Sequence, residues 1–120
     1  MRSLQFSVAL CSLLATTGEA HAHAFLLKAE PPVGAAVAAS PKAVRLVFSE
    51  AIELAFSGVD VTNGSGGAIA TQKVRFGGND HKVLLTDLPP LPPGTYHVKW
   101  HVISVDTHRT EGEFIFTVKQ

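Results

Sequence analysis

From residue 25 onward, apolar and polar positions alternate over short runs broken by turn signals. In the segment 43–50, Val44, Leu46 and Phe48 fall on one face and Arg45 and Val47 on the other. In "TYHVKWHVIS", Tyr96, Val98, Trp100 and Val102 alternate with His97, Lys99, His101 and Ile103. The closing "GEFIFTVK" sets Phe114, Phe116 and Val118 on one side. Four more runs have strand character: Phe25–Ala29 and the segments 56–63, 68–76 and 81–88. "EPPVG", "NGSGG", "GGND" and "PPLPPG" separate the runs, and their prolines and glycines end ladders. "AVAAS" at 36–40 fits a loop or a short helical turn equally well. About seven short strands at this spacing predict an all-β sandwich or small barrel, with Trp100 and most phenylalanines inside. The proline-rich "PPLPPG" reads as a rigid connection between strands rather than a ligand for another domain.

The first residues do not share this pattern. Arg2 is followed by an apolar run from Phe6 to Ala15, then by polar and small residues. That is the layout of a secretory signal peptide, and the run is shorter than the ~20 residues a bilayer span needs. Ala20-His21-Ala22 offers small residues at the −3 and −1 positions of a cleavage site. Cutting after Ala22 divides the chain into a leader, 1–22, and one domain, 23–120, that begins with His23. Cutting after Ala24 has the same form and would leave Phe25 first. Lipoprotein processing at Cys11 is disfavoured by Leu10 before it. The domain after the cut contains no cysteine, so its stability must come from its core or from a ligand. It is expected to be exported to the periplasm without inserting in the membrane. Ten Lys plus Arg balance ten Asp plus Glu, which argues against nucleic acid as a partner.

The six histidines carry the chemistry. In "SVDTHRT", Asp106 and His108 are two apart, and residues at that spacing in an extended chain point the same way. Alone, such a pair is as compatible with a polar turn as with a metal site. His23 changes the balance. As a first residue it offers a free amine and a ring nitrogen together, with ordinary pKa values of about 8 and 6.5. With His108 and Asp106 the set becomes three nitrogens and one oxygen. Four such donors suit Cu(II) and, less well, Ni(II), and Cu(II) also stands highest in affinity among the divalent first-row ions.

The stretches "PPVGAAV", "VRLVFSEAIELAFSGVDV", "LPPGTYHVKWHVISVDTH" and "GEFIFTV", with the N-terminal histidine, resemble the CopC family of periplasmic copper-resistance proteins. The pattern "GTYxVxWxxxSxDxH" is specific, and the resemblance covers nearly all of 23–120. It implies a Greek-key, immunoglobulin-like fold and one Cu(II) per chain held by His23, Asp106 and His108. It also implies a CopD-like inner-membrane copper transporter as partner. Some members carry a second, Cu(I) site in a Met- and His-rich loop. Here "VTNGSGGAIATQKVRFGGNDHK" has no Met, and Met1 is the only one in the chain, so a Cu(II)-only protein is expected.

The remaining histidines read as surface residues. His97 and His101 share one strand face about 13 Å apart, too far to chelate one ion. His101 runs toward Asp106 and retains a possible supporting role behind the site. His81 reads as a loop residue, and Glu111 and Glu113 as a solvated edge. The expected function is Cu(II) capture, buffering or delivery, not catalysis. Two alternatives are a histidine-brace copper monooxygenase, which needs an open coordination position, and a metal-free immunoglobulin-like adhesion module.

Overall fold

The computed structural model describes residues 23–120, so the leader and its cleavage point lie outside the described residues. The strands are β1 (Leu26–Glu30), β2 (Ala36–Val37), β3 (Ala43–Phe48), β4 (Gly58–Thr62), β5 (Arg75–Phe76), β6 (Val83–Asp87), β7 (Gly94–Ile103) and β8 (Arg109–Val118). They form two four-stranded sheets, ordered β1-β3-β6-β5 and β2-β8-β7-β4. The molecule is an all-β sandwich. Among the described residues, no helix is long and apolar enough to cross a membrane.

The alternation read from the sequence is the burial pattern of the strands. Val44, Leu46 and Phe48 of β3, Tyr96, Val98, Trp100 and Val102 of β7, and Phe114, Phe116 and Val118 of β8 are all buried in one core. The Trp100 indole meets Phe48 edge to face at 5.2 Å. It lies over Gly112, its partner in the β7–β8 register, where a Cβ would come within 2.6 Å of the ring. The absent side chain at Gly112 is the room the indole occupies.

Two expectations need correction, and the strand count is refined: about seven were expected, and the described residues form eight. The additional one comes from "AVAAS", whose Ala36 and Val37 pair in parallel with Thr117 and Val118 of β8. The turn before it is fastened to the same strand, because Gly34 N–H donates to Ile115 C=O at 2.7 Å. The run 68–76 is not one strand. Ala68 bridges to Thr62, beside β4, while Arg75 and Phe76 pair with β6 in the other sheet. A segment that crosses between layers cannot keep one ladder, so only its last two residues are strand. The phenylalanines also divide: Phe48, Phe114 and Phe116 are buried, but Phe25 and Phe56 are more than half exposed. Phe56 ends a 3₁₀ turn, Leu54–Phe56, that delays the start of β4. "PPLPPG" is the rigid connection expected: Leu91 is buried, and the Tyr96 hydroxyl donates to Pro92 C=O at 2.5 Å.

Two features converge at one end of the sandwich. β7 and β8 are ten-residue antiparallel strands, and their register delivers Ile103 opposite Arg109 with a tight turn between. β1 starts at the same end, with Leu26 opposite Phe48 at the end of β3. A bulge between Leu26 and Lys28 bends the first strand at its start.

Candidate metal centre

The segment just after His23 is held in place. Ala24 is fully buried, and its C=O accepts a hydrogen bond from Thr110 Oγ1 at 2.9 Å. Phe25 N–H donates to Ser49 Oγ at 2.8 Å, and Ser49 N–H donates back to Phe25 C=O at 2.9 Å. His23 therefore adjoins an anchored segment that leads into β1. Its imidazole lies against His108, with ring centroids 4.8 Å apart and planes tilted by 35°.

The other half of the site is the turn 104–108. Ser104 N–H donates to His108 C=O at 2.9 Å, Thr107 N–H donates to Ser104 C=O at 2.8 Å, and Val105 N–H donates to Ala51 C=O at 3.1 Å. Thr107 has φ of +73°, a left-handed conformation unusual for a β-branched residue, and it is what reverses the chain between Asp106 and His108. Ser104 is buried, and its hydroxyl donates to Asp106 Oδ1. The Ser104 hydroxyl oxygen in turn accepts the His108 backbone N–H at 3.2 Å. His108 Nδ1 stands 3.5 Å from Asp106 Oδ1. The Ser104 hydroxyl, and secondarily His108, hold the Asp106 carboxyl below its ordinary pKa, outweighing the desolvation that opposes them. Asp106 is thus kept ionised and acceptor-only.

Of the three residues singled out in the sequence, the fold brings His23 against His108 and Asp106 beside His108. Among the described residues, no three His, Cys, Asp or Glu side chains make a complete metal-holding group. A further donor could come only from outside the side chains: with Ala22 attached, the His23 nitrogen belongs to a peptide bond, and in a chain cut after Ala22 it would be a primary amine. The chemistry of the set, two imidazoles, an ionised carboxylate and that amine, fits a borderline N,O-preferring cation such as Cu(II).

The other histidines have other surroundings. His81 has φ of +61°, and its ring stacks on Phe76 at 4.2 Å with planes 3° apart. His97 is exposed on β7 opposite Thr62. The His101 ring covers Gly58, where a Cβ would come within 2.7 Å of it. With Asp60, Lys99, Arg109, Glu111 and Glu113, His101 lines a shallow cavity of about 320 Å³ on the outer face of its sheet. Glu111 accepts a hydrogen bond from Arg109 at 3.1 Å. Sequence reasoning gave no role to Ser49, Ser104 or Thr110. Ser104 stood within the quoted "SxDxH" pattern, but nothing in the order of residues shows which hydroxyl turns inward.

A family model for the CopC domain matches residues 26–119. The chain belongs to the CopC family. The match includes Asp106 and His108 and begins three positions after His23. Protein YobA of Escherichia coli K12 is 40% identical over 119 residues, which cover 98% of this chain and 96% of that protein. The crystal structure of PcoC, a methionine-rich copper resistance protein from Escherichia coli, superimposes with a TM-score of 0.74 at 38% identity, covering 82% of this chain and all of that one. The copper transport protein CutJ of Bacillus subtilis is 28% identical over 98 residues, which cover 81% of this chain but 18% of CutJ. This CopC chain differs from a methionine-rich relative in one plain respect: none of its described residues is methionine.

Proposed function

We propose that this CopC protein binds copper for copper resistance, as one Cu(II) per chain on the exported form that begins at His23. The ligands are the His23 amine and imidazole, the His108 imidazole and an Asp106 oxygen. The observation that carries the reading is the His23–His108 contact across 85 positions of chain, with rings 4.8 Å apart on two segments that Thr110 ties together. The full burial of Ala24 and its bond from Thr110 support cleavage after Ala22, because a cut after Ala24 would discard a residue the core uses. Absence of methionine and cysteine from 23–120 supports Cu(II) over Cu(I). An aspartate in the fourth position supports holding the ion rather than activating oxygen on it. The site faces the periplasm in this reading. A matching domain within a copper transport protein supports onward delivery to an inner-membrane transporter of CopD type.

Intact mass spectrometry of the exported protein, with and without Cu(II), tests the core of this. The expected species is His23–Gln120, shifting by the mass of one copper ion. A mature chain starting at Phe25 that still takes one tight Cu(II) would show the amino-terminal ligand to be wrong.

A further inference from the structure

We propose that Ser104 is a positioning residue for copper, its buried hydroxyl fixing the Asp106 carboxylate in the direction from which it meets the ion. The inference rests on the reading of His23, Asp106 and His108 as ligands and deepens it. An aspartate on an exposed turn has two side-chain torsions free to rotate, and about half of the Asp106 side-chain surface is open to solvent. Left alone, that carboxylate would sweep through orientations that miss the ion. Ser104 removes this freedom. It is only 1% exposed, and its own backbone is locked by the Ile52 bridge and by both backbone bonds to the 107–108 side of the turn. A rigid, buried donor thus holds one carboxylate oxygen. Ser104 and His108 both meet Oδ1, so the carboxylate is held through that oxygen and Oδ2 would be the one offered to an ion. The same hydroxyl accepts the His108 N–H, so one atom ties the alignment of both turn ligands.

A simpler role would be closure of the turn alone, without any effect through Asp106. A double-mutant cycle separates the two. Mature His23–Gln120 and its Ser104→Ala, Asp106→Ala and doubly substituted forms are titrated with Cu(II) against a competing chelator. The loaded forms are compared by electron paramagnetic resonance, and the copper-free forms by thermal melting. Loss of an orienting partner weakens metal binding by about 10–100-fold, so Ser104→Ala is expected to cost at least about tenfold and to alter the copper spectrum. In the Asp106→Ala background the same change is expected to cost less than about twofold, because the group it acts through is gone. Equal losses in both backgrounds, or no loss in either, would overturn the proposal. If Asp106→Ala alone leaves affinity unchanged, the proposal falls together with Asp106 as a ligand, whereas an intact Asp106 effect without coupling sinks Ser104 only. Should Ser104→Ala not fold, Ser104→Thr keeps the hydroxyl and is expected to hold copper within about threefold of the parent. A tenfold loss there, with the copper-free melting point kept, counts against the assignment.

Discussion

On the proposed reading, an acyl group on the His23 nitrogen would remove a ligand without touching the imidazole. The amine lone pair is available near neutral pH, whereas an amide nitrogen must lose a proton to bind. One glycine added before His23 should therefore weaken Cu(II) by orders of magnitude, as should His108→Ala. Asp106→Ala should weaken it less, since water can replace a carboxylate oxygen. Competitive titration of the four proteins checks the order, and a glycine-extended form that binds like the parent would remove the amine from the site. The same scale carries a pH effect. Asp106 is held below its ordinary carboxylate pKa in the fold, first by Ser104. Its ionised form thus adds stability that is fully present above about pH 4 and is lost as pH falls through the lower folded value. Melting of copper-free wild type and Asp106→Asn between neutral and strongly acidic pH should show the wild-type advantage shrinking on acidification. Curves that stay parallel would contradict the shift. Carboxyl NMR should find the Asp106 pKa raised in Ser104→Ala.

At the scale of elements, the site depends on two hydroxyls that join segments distant in sequence. Thr110 Oγ1 reaches Ala24 C=O, and Ser49 Oγ takes the Phe25 N–H. Thr110→Val keeps the shape and drops the donor, leaving the Ala24 carbonyl unpaired where it is buried. It should weaken Cu(II) measurably while changing the melting point of the copper-free protein by only a few degrees. An unchanged affinity would mean His23 needs no such anchor. The strands themselves were legible because β3, β7 and β8 alternate strictly, and strict alternation has one reading. "AVAAS" was not legible, since Ala carries almost no preference for face or element, and the parallel pairing with β8 is decided by the tertiary position of the turn before it. The run 68–76 misled because Ile69, Val74 and Phe76 are apolar, while the chain between them changes sheets. His23, Asp106 and His108 stood out as residue types with few alternatives; Ser49, Ser104 and Thr110 did not, because serine and threonine occur in every loop.

For the whole molecule, one core serves both sheets, and Trp100 is central to it. Trp100→Ala should cost about 3–5 kcal/mol. Gly112→Ala should also destabilise, by about 1–3 kcal/mol, because a methyl group would enter the volume of the indole. Urea unfolding of both variants measures this, and unchanged midpoints would contradict the packing of the indole on Gly112. Copper binding adds to global stability through mass action, so saturation with Cu(II) should raise the melting point in proportion to the logarithm of free ion over its dissociation constant.

The anchoring of residues 24 and 25 has a kinetic corollary. In the proposed mature form the ion would be clasped between three terminal residues, 23–25, and a hairpin turn belonging to the other sheet. Opening this clasp requires only end fraying: the Thr110 and Ser49 bonds break, Ala24 leaves its place, and both sheets stay intact. Such local openings cost far less than global unfolding. Dissociation of copper should therefore run on a clock of its own, quickened by weakening either hydroxyl and indifferent to substitutions that merely harden the core. A receiving protein that draws those three residues into its own groove would take two of the four donors in the same movement, and unloading would then be a peeling rather than a competition for a closed site.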